Sequence, residues 1–342
     1  MKILFTPPNA ELRERIQGCV EAVHDFKLVP FRMLTAPQFF IQAMLAAWQL
    51  RRAKVDLVVW NGGYLGLPFA WLLKQLSGIP YVTVMRDLVQ SRSPAKARRY
   101  LNGARGIISV SQAIQAAMHS AAGGGITTAQ KVLYDPLESV PEEIPRRLPA
   151  AEPSRSIVAM FGYICELKGQ DLLVAAAVQV VKEHPATEFW IVGDVREGEK
   201  DRDYLMRLNS RIVELGLTDK VNFLGYRNDV TVIMRECSVV VIPSRRESFG
   251  MVAIEAWSQG VPTVAMDIMG PGETHRASGG GILFPPEDTA AFARAIGQLL
   301  EDKNRRHEMG QNGFNWVKKN SDPQIYAGQF RQFLSAVIPS ER

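Results

Sequence analysis

Two glutamates, Glu247 and Glu255, stand eight positions apart around Ser248-Phe249-Gly250. The apolar, β-branched run Val239–Ile242 ahead of them predicts a strand. Pro243-Ser244-Arg245-Arg246 leads out of it, and a helix is predicted from Phe249 or Gly250 to about Gln259, closed by Gly260 and Pro262. A helix start presents unpaired N–H groups and the positive end of the dipole. A glycine there lets a ligand come close to the backbone, and phosphate oxygens fit such a place. Phosphates alone have no use for two carboxylates. Hydroxyls do, because a carboxylate accepts two hydrogen bonds at once. A diphosphate with a sugar at each end, a nucleotide-sugar, satisfies every group. Glu247 then holds the transferred sugar and Glu255, two turns into the helix, holds the ribose. The plainer reading makes Glu247 a helix-start charge and Glu255 a surface residue. Two glutamates alone favour it, so the decision rests on what surrounds them.

What must position these residues is a series of short apolar strands: Lys2–Phe5, Val55–Trp60, Tyr81–Met85, Gly106–Val110, Ser156–Phe161, Glu188–Val192, Val221–Leu224, Ser238–Ile242 and Thr263–Met266. Near-continuous apolar runs signify burial on both faces, as in parallel sheets covered by helices. Alternation with helical stretches gives βαβ units and an α/β class. Asp135–Pro149 is rich in proline and charge, and Ala150–Ser154 continues it. We read this stretch as a linker between two Rossmann-like halves, with domains at 1–150 and 151–322. Ligands of such sheets sit beyond the carboxyl ends of the strands, so two facing halves offer a cleft. Asp288–Glu301 and Lys303–Lys319 predict amphipathic helices. Gln324–Ile338, with Tyr326, Phe330, Phe333 and Leu334 on one stripe, predicts a last helix.

The 342 residues carry a net charge of +5 that hides an asymmetry. Residues 1–150 hold 18 basic and 10 acidic side chains, and the remainder holds 22 and 25. A basic first half fits an anionic partner, either a phosphorylated acceptor or a membrane surface, or is simply a solvated face. The basic residues form no motif that reads nucleic acid, so no nucleic-acid partner is expected. Met33–Leu50 is apolar, interrupted by Gln38, Gln42 and Gln49, and followed by Arg51, Arg52 and Lys54. It is too polar for a spanning helix and reads either as a core helix or as an interfacial helix with a basic flank. Arg92, Lys96, Arg98 and Arg99 form a second basic cluster. Cys19, Cys165 and Cys237 lack metal-ligand spacing and read as reduced thiols of a cytosolic protein. The start of the chain has no signal-peptide pattern.

The stretch PSRRESFGMVAIEAWSQGVPTVA resembles the signature of family 4 retaining glycosyltransferases, which have the GT-B fold. FGYICELKGQDLLVAAA (Phe161–Ala177), FWIVGD (Phe189–Asp194), VNFLGYRNDV (Val221–Val230) and GIISVSQAI (Gly106–Ile114) resemble further parts of that family. The resemblance implies two Rossmann-like doubly wound domains facing each other across a cleft. The first binds the acceptor, the second binds the donor, and the last helix crosses back to the first. Carried over by position, Lys168 binds the donor diphosphate, Glu247 the sugar and Glu255 the ribose. Gly162, Tyr163, Gly193, Gly225, Tyr226 and Ser248 line the donor site, and the amides of Phe249, Gly250, Met251 and Val252 complete the phosphate cradle. A cation such as Lys168 has its own rationale, since it stabilises the leaving diphosphate.

Three departures from the family pattern stand out. Tyr163 occupies the position where the family has arginine, and Arg245 or Arg246 is the candidate replacement. Arg86-Asp87 follows the third strand where the family has His-Asp. Arg86 stays protonated and cannot be a base, but it can anchor a phosphate. Thr6-Pro-Pro-Asn-Ala10, with a helix from about Glu11, replaces a glycine-rich loop, leaving Asn61-Gly62-Gly63 as the more permissive loop; Asn61, Gly62 and Asp87 are the acceptor-side candidates. The resemblance implies a front-face reaction in which the leaving phosphate takes the acceptor proton. No Asp-x-Asp suggests a divalent ion, so neither metal nor other cofactor is expected. The acceptor expected is a glycan or lipid-linked hydroxyl in bacterial cell-surface polysaccharide synthesis, met in the cytoplasm or at the inner face of the membrane. A nucleotide-sugar epimerase, a phosphorylase and a non-catalytic partner subunit of the same fold remain as alternatives.

Overall fold

The structure is a computed structural model that describes residues 3–6, 36–61, 63–89, 91, 93–146, 155–196 and 198–338. It divides into two compact units, one of residues 1–134 and 327–342 and one of residues 135–326. Cys19, Gly62, Arg92, the stretch after Thr6 and the helix expected from Glu11 lie outside the described residues.

Among the described residues the first unit holds five parallel strands in chain order: β1 (Ile3–Thr6), β2 (Leu57–Trp60), β3 (Tyr81–Met85), β4 (Gly106–Ser109) and β5 (Ala129–Val132). Every residue of β2, β3 and β4 is buried, which is why their sequences are unbroken apolar runs rather than alternating ones. Helices Ala36–Arg52, Leu67–Ser77, Pro94–Gly103 and Gln112–Ala121 connect the strands. Ser93 and Ser111 cap two of them by accepting the N–H of Lys96 and Ile114. The last helix, Pro323–Val337, begins in the second unit and ends in the first. There the Phe333 ring fills the space above Gly106, 2.8 Å from where a Cβ would stand.

Among the described residues the second unit holds six parallel strands: β6 (Ser156–Phe161), β7 (Thr187–Val192), β8 (Val221–Gly225), β9 (Val239–Ile242), β10 (Thr263–Met266) and β11 (Gly281–Phe284). Their order is β11-β10-β9-β6-β7-β8. Successive β6 side chains enter opposite cores, Val158 and Met160 on one face and Ile157, Ala159 and Phe161 on the other. The chain order reverses between β6 and β9, and a crevice at such a reversal is where open α/β sheets bind ligands.

Residues 135–146 correct the expected boundary at 150, because they belong to the second unit. Their irregular sequence is fastened rather than loose. The Leu137 N–H donates to the Ser321 carbonyl and Lys318 Nζ to the Glu142 carbonyl. Arg235 Nε donates to the Arg146 carbonyl, and Ile144 packs on Gly260. Asp135 is buried. β5 and β11, absent from the sequence reading, are outer strands of their sheets.

Candidate functional site

The loops that leave β6 and β9 lie on either side of the reversal. After β6 the chain makes one 3-10 turn, Glu166–Lys168, and enters helix Gln170–Glu183 through Gly169. Gly169 has φ +80°, and a Cβ on it would stand 2.2 Å from the Pro243 carbonyl oxygen. A glycine is therefore what lets the Lys168 turn touch the end of β9. Lys168 Nζ donates to Glu247 Oε2 at 2.7 Å, both side chains being about a quarter exposed. The sequence places these residues 79 positions apart; the fold makes them an ion pair at the strand reversal.

Helix Met251–Ser258 follows, with Gly250 as its cap at φ 94°, a residue with no side chain to cap the first N–H groups. Such a start is suited to an anion. Glu247 is beside it, its Cγ 3.8 Å from a Cβ position on Gly250. Phe249 is buried, and Ser248, Met251 and Val252 are half-buried. The helix is only two turns long and is held by Trp257, which is fully buried and donates its Nε1–H to the Gly280 carbonyl at 2.8 Å.

Glu255 sits on this helix with a pKa pushed up to about 7, first by burial and second by the negative charge of Glu138. Glu138 belongs to the fastened segment that sequence reading treated as linker. A carboxyl group held near neutrality accepts hydrogen bonds from hydroxyls once it ionises, and donates one while protonated.

Gly162, Gly193 and Gly225 converge at the carboxyl ends of β6, β7 and β8. The Gly162 N–H donates to the Val192 carbonyl at 2.9 Å and the Gly193 N–H to the Gly225 carbonyl at 2.8 Å. A Cβ on Gly193, at φ +142°, would stand 2.0 Å from the Gly162 carbonyl oxygen. Gly162 in turn faces the Lys168 stem, with Lys168 Cε 3.7 Å from its Cβ position. Tyr163 is half exposed, and Tyr226 is 73% exposed beyond β8.

Arg245, the candidate replacement for the cation missing at position 163, is engaged by other partners. Its guanidinium donates to both Asp171 carboxylate oxygens at 2.7 and 2.9 Å and to both Glu287 oxygens at 2.9 and 3.0 Å. It also donates to the Glu166 carbonyl at 2.7 Å, while its backbone N–H donates to the Leu167 carbonyl at 2.8 Å. Burial pushes the Asp171 carboxyl up, but the hydrogen bonds from Arg245 and Tyr204 outweigh it and hold the group below the usual range. Arg245 thus clamps the turn that carries Lys168. Arg246 is exposed. A cation that sequence reading missed does meet Tyr163: Arg196, after β7, stacks its guanidinium 4.1 Å from the Tyr163 ring centroid. Nothing in the spacing of residues 163 and 196 announces this pair, which comes from the bridge that joins Ile164 to Val195.

In the first unit, Arg86 Nε donates to Asn61 Oδ1 at 2.8 Å, which joins the loops after β2 and β3. Asp87 Oδ2 lies 3.2 Å from a Cβ position on Gly63, whose φ is +64°. Among the described residues no group of three or more His, Cys, Asp or Glu side chains is gathered to hold a metal ion, and no helix is long and apolar enough to cross a membrane.

Comparison with known proteins bears on the same regions. The family described as "Glycosyl transferases group 1" matches residues 142–316, and "Glycosyl transferase 4-like domain" matches residues 3–128. A D-inositol 3-phosphate glycosyltransferase of Nocardia farcinica is 34% identical over 48% of the chain, an alignment spanning 38% of that relative. The lipopolysaccharide core mannosyltransferase LpcC of Rhizobium leguminosarum is 26% identical over 73% of the chain and 69% of its own. Among solved structures, Anabaena Alr3699/HepE in complex with UDP-glucose superposes with a TM-score of 0.76 at 25% identity, covering 98% of this chain and 100% of that one.

Proposed function

Since the chain belongs to the glycosyl transferases group 1 family, a glycosyltransferase family of GT-B fold, we propose that it moves a sugar from a nucleoside-diphosphate-sugar to an acceptor hydroxyl with retention of configuration. The observation that carries this reading is the Lys168–Glu247 pair beside the glycine-capped start of helix Met251–Ser258. In the reaction proposed, the ammonium of Lys168 and the helix-start N–H groups stabilise negative charge as the diphosphate leaves. Glu247 holds hydroxyls of the departing sugar and Glu255 those of the ribose. The acceptor hydroxyl attacks on the face the diphosphate vacates, and a phosphate oxygen takes its proton. The protein's contribution is position and charge.

The acceptor-binding role falls to the first unit, where Arg86 and Asn61 meet. A glycan or lipid-linked acceptor of the bacterial cell surface is supported by the likeness to a lipopolysaccharide core enzyme. No divalent ion enters this reading, because Lys168 and the helix start supply the positive charge. Activity that survives EDTA agrees with it, and activity lost to EDTA and restored by Mn²⁺ refutes it.

The test is a thermal-shift panel of UDP-, GDP-, ADP- and dTDP-sugars against the wild type, Lys168→Ala and Glu255→Ala. A ligand of the native state raises the melting temperature. One nucleotide class stabilising the wild type and neither variant supports the site. Donor turnover by the isolated chain separates an enzyme from a non-catalytic partner of the same fold.

A further inference from the structure

Helix Ala36–Arg52 wears its side chains the wrong way round for a protein bathed in water. Its packed face is small: Ala43, Ala46, Ala47 and Leu50 are buried. Phe39, beside them, meets Phe69 of helix Leu67–Ser77 edge to face at 5.3 Å. The large apolar side chains Phe40, Ile41, Met44, Leu45 and Trp48 point outward, each 53–60% exposed. At 100° per residue these five fall within one arc. Scattered exposed apolar residues need no explanation, but five large ones in a continuous stripe do.

The ends and margins of the stripe say what covers it. Arg51, Arg52 and Lys54 are exposed at its carboxyl end. The guanidinium of Arg52 lies 5.3 Å from the Trp48 ring centroid, and Gln38, Gln42 and Gln49 edge the stripe. The helix contains no acidic residue, and over residues 36–134 the sequence has eleven basic side chains and two acidic ones, Asp56 and Asp87. An apolar face with an interfacial tryptophan and a cationic rim, on a helix too short and polar to span, is the build of a segment lying in a bilayer surface. The cationic carboxyl end, with the basic excess of the sequence around it, selects against a zwitterionic surface and for an anionic one.

We infer that this face docks the chain on an anionic lipid bilayer, with Phe40, Ile41, Met44, Leu45 and Trp48 in the acyl boundary and Arg52 and Lys54 among the headgroups. The inference rests on the proposed function only for its purpose, which is to bring the enzyme to an acceptor carried in the membrane. The docking itself stands on the helix.

The experiment is flotation of the full chain with phosphatidylcholine vesicles, with and without phosphatidylglycerol. Beside the wild type run Met44→Glu/Leu45→Glu and Arg52→Gln/Lys54→Gln. The wild type is expected to float with the phosphatidylglycerol vesicles and to be released by salt. The apolar variant loses at least about tenfold in partitioning, and the charge variant roughly thirtyfold. Both variants keep the wild-type melting temperature and nucleotide-induced shift, since the substituted side chains are exposed. Absence of flotation, or flotation that neither variant changes, overturns the inference. So does a concentration-dependent dimer, seen by light scattering and abolished in Met44→Glu/Leu45→Glu, because the stripe is then a contact between copies. The nucleotide-induced shift is read separately, so failure of the glycosyltransferase reading shows there and not in the flotation.

Discussion

Glu255→Gln is the most informative single substitution, because it changes a charge and almost no volume. The carboxyl group moves from an ordinary value of 4.5 to about 7 in the folded chain, by burial and by Glu138. Between those two values the native state holds more protons than the unfolded state. Stability therefore falls as pH rises through that window, and above about 7 the whole penalty is present. A shift of this size corresponds to roughly 3 kcal/mol, taken as about 2–3 kcal/mol for a half-buried group. Glutamine stays neutral and escapes the penalty. The variant should match the wild type near the acid end of the window and exceed it by about 2–3 kcal/mol at about pH 8. For a unit the size of residues 135–326 that is a gain of about 5–10 °C in melting temperature. The assay is thermal unfolding of both proteins across this pH range. Parallel curves refute the reasoning, since they mean Glu255 has no raised pKa. Glu138→Gln should lower the Glu255 pKa and recover part of the same gain. Nucleotide binding that brings hydroxyl donors to Glu255 favours its ionised form, so binding near neutral pH should release protons, measurable by calorimetry in buffers of different ionisation enthalpy.

Removing Lys168 leaves Glu247 without its cation, so Lys168→Met should cut turnover about a hundredfold or more. A double-mutant cycle with Glu247→Gln should then show strong non-additivity. Gly169→Ala places a Cβ against the Pro243 carbonyl at a φ of +80°; it should cost at least about 1–3 kcal/mol and displace Lys168, seen as a lowered melting temperature together with weaker nucleotide binding. Arg245→Gln should lower the melting temperature by leaving Asp171 and Glu287 without their shared cation, and it should weaken nucleotide binding less than Lys168→Met does. Equal losses would make Arg245 a ligand-binding cation after all.

Much of this was legible in the sequence because parallel strands buried on both faces write themselves as apolar runs. β2, β3, β6, β7, β9 and β10 are of that kind. β5, Ala-Gln-Lys-Val, alternates half-buried and exposed residues at a sheet edge, and β11 begins within three successive glycines. Neither carries the signal. Residues 135–146 look like a tether because the hydrogen bonds that fasten them are made by their backbone N–H and carbonyl groups, which composition does not record. Glu247 and Gly250 could be named from local spacing and Lys168 from the family resemblance, and the three are neighbours in space. The roles of Arg245, Arg196 and Glu138 could not, because each is set by a partner from a distant loop.

The abutment of Gly162 with Gly193, and of Gly169 with Pro243, has a consequence for how such a protein can change. These loops meet backbone to backbone, so neither can drift without moving the other. A new sugar or base preference cannot readily be acquired by reshaping the frame. It has to come from what projects out of it, at Tyr163, Leu167, Arg196 and Tyr226, all of them exposed. A library restricted to these four positions should yield altered donor preference with little loss of folded protein, whereas one aimed at the glycines should yield mostly unfolded chains.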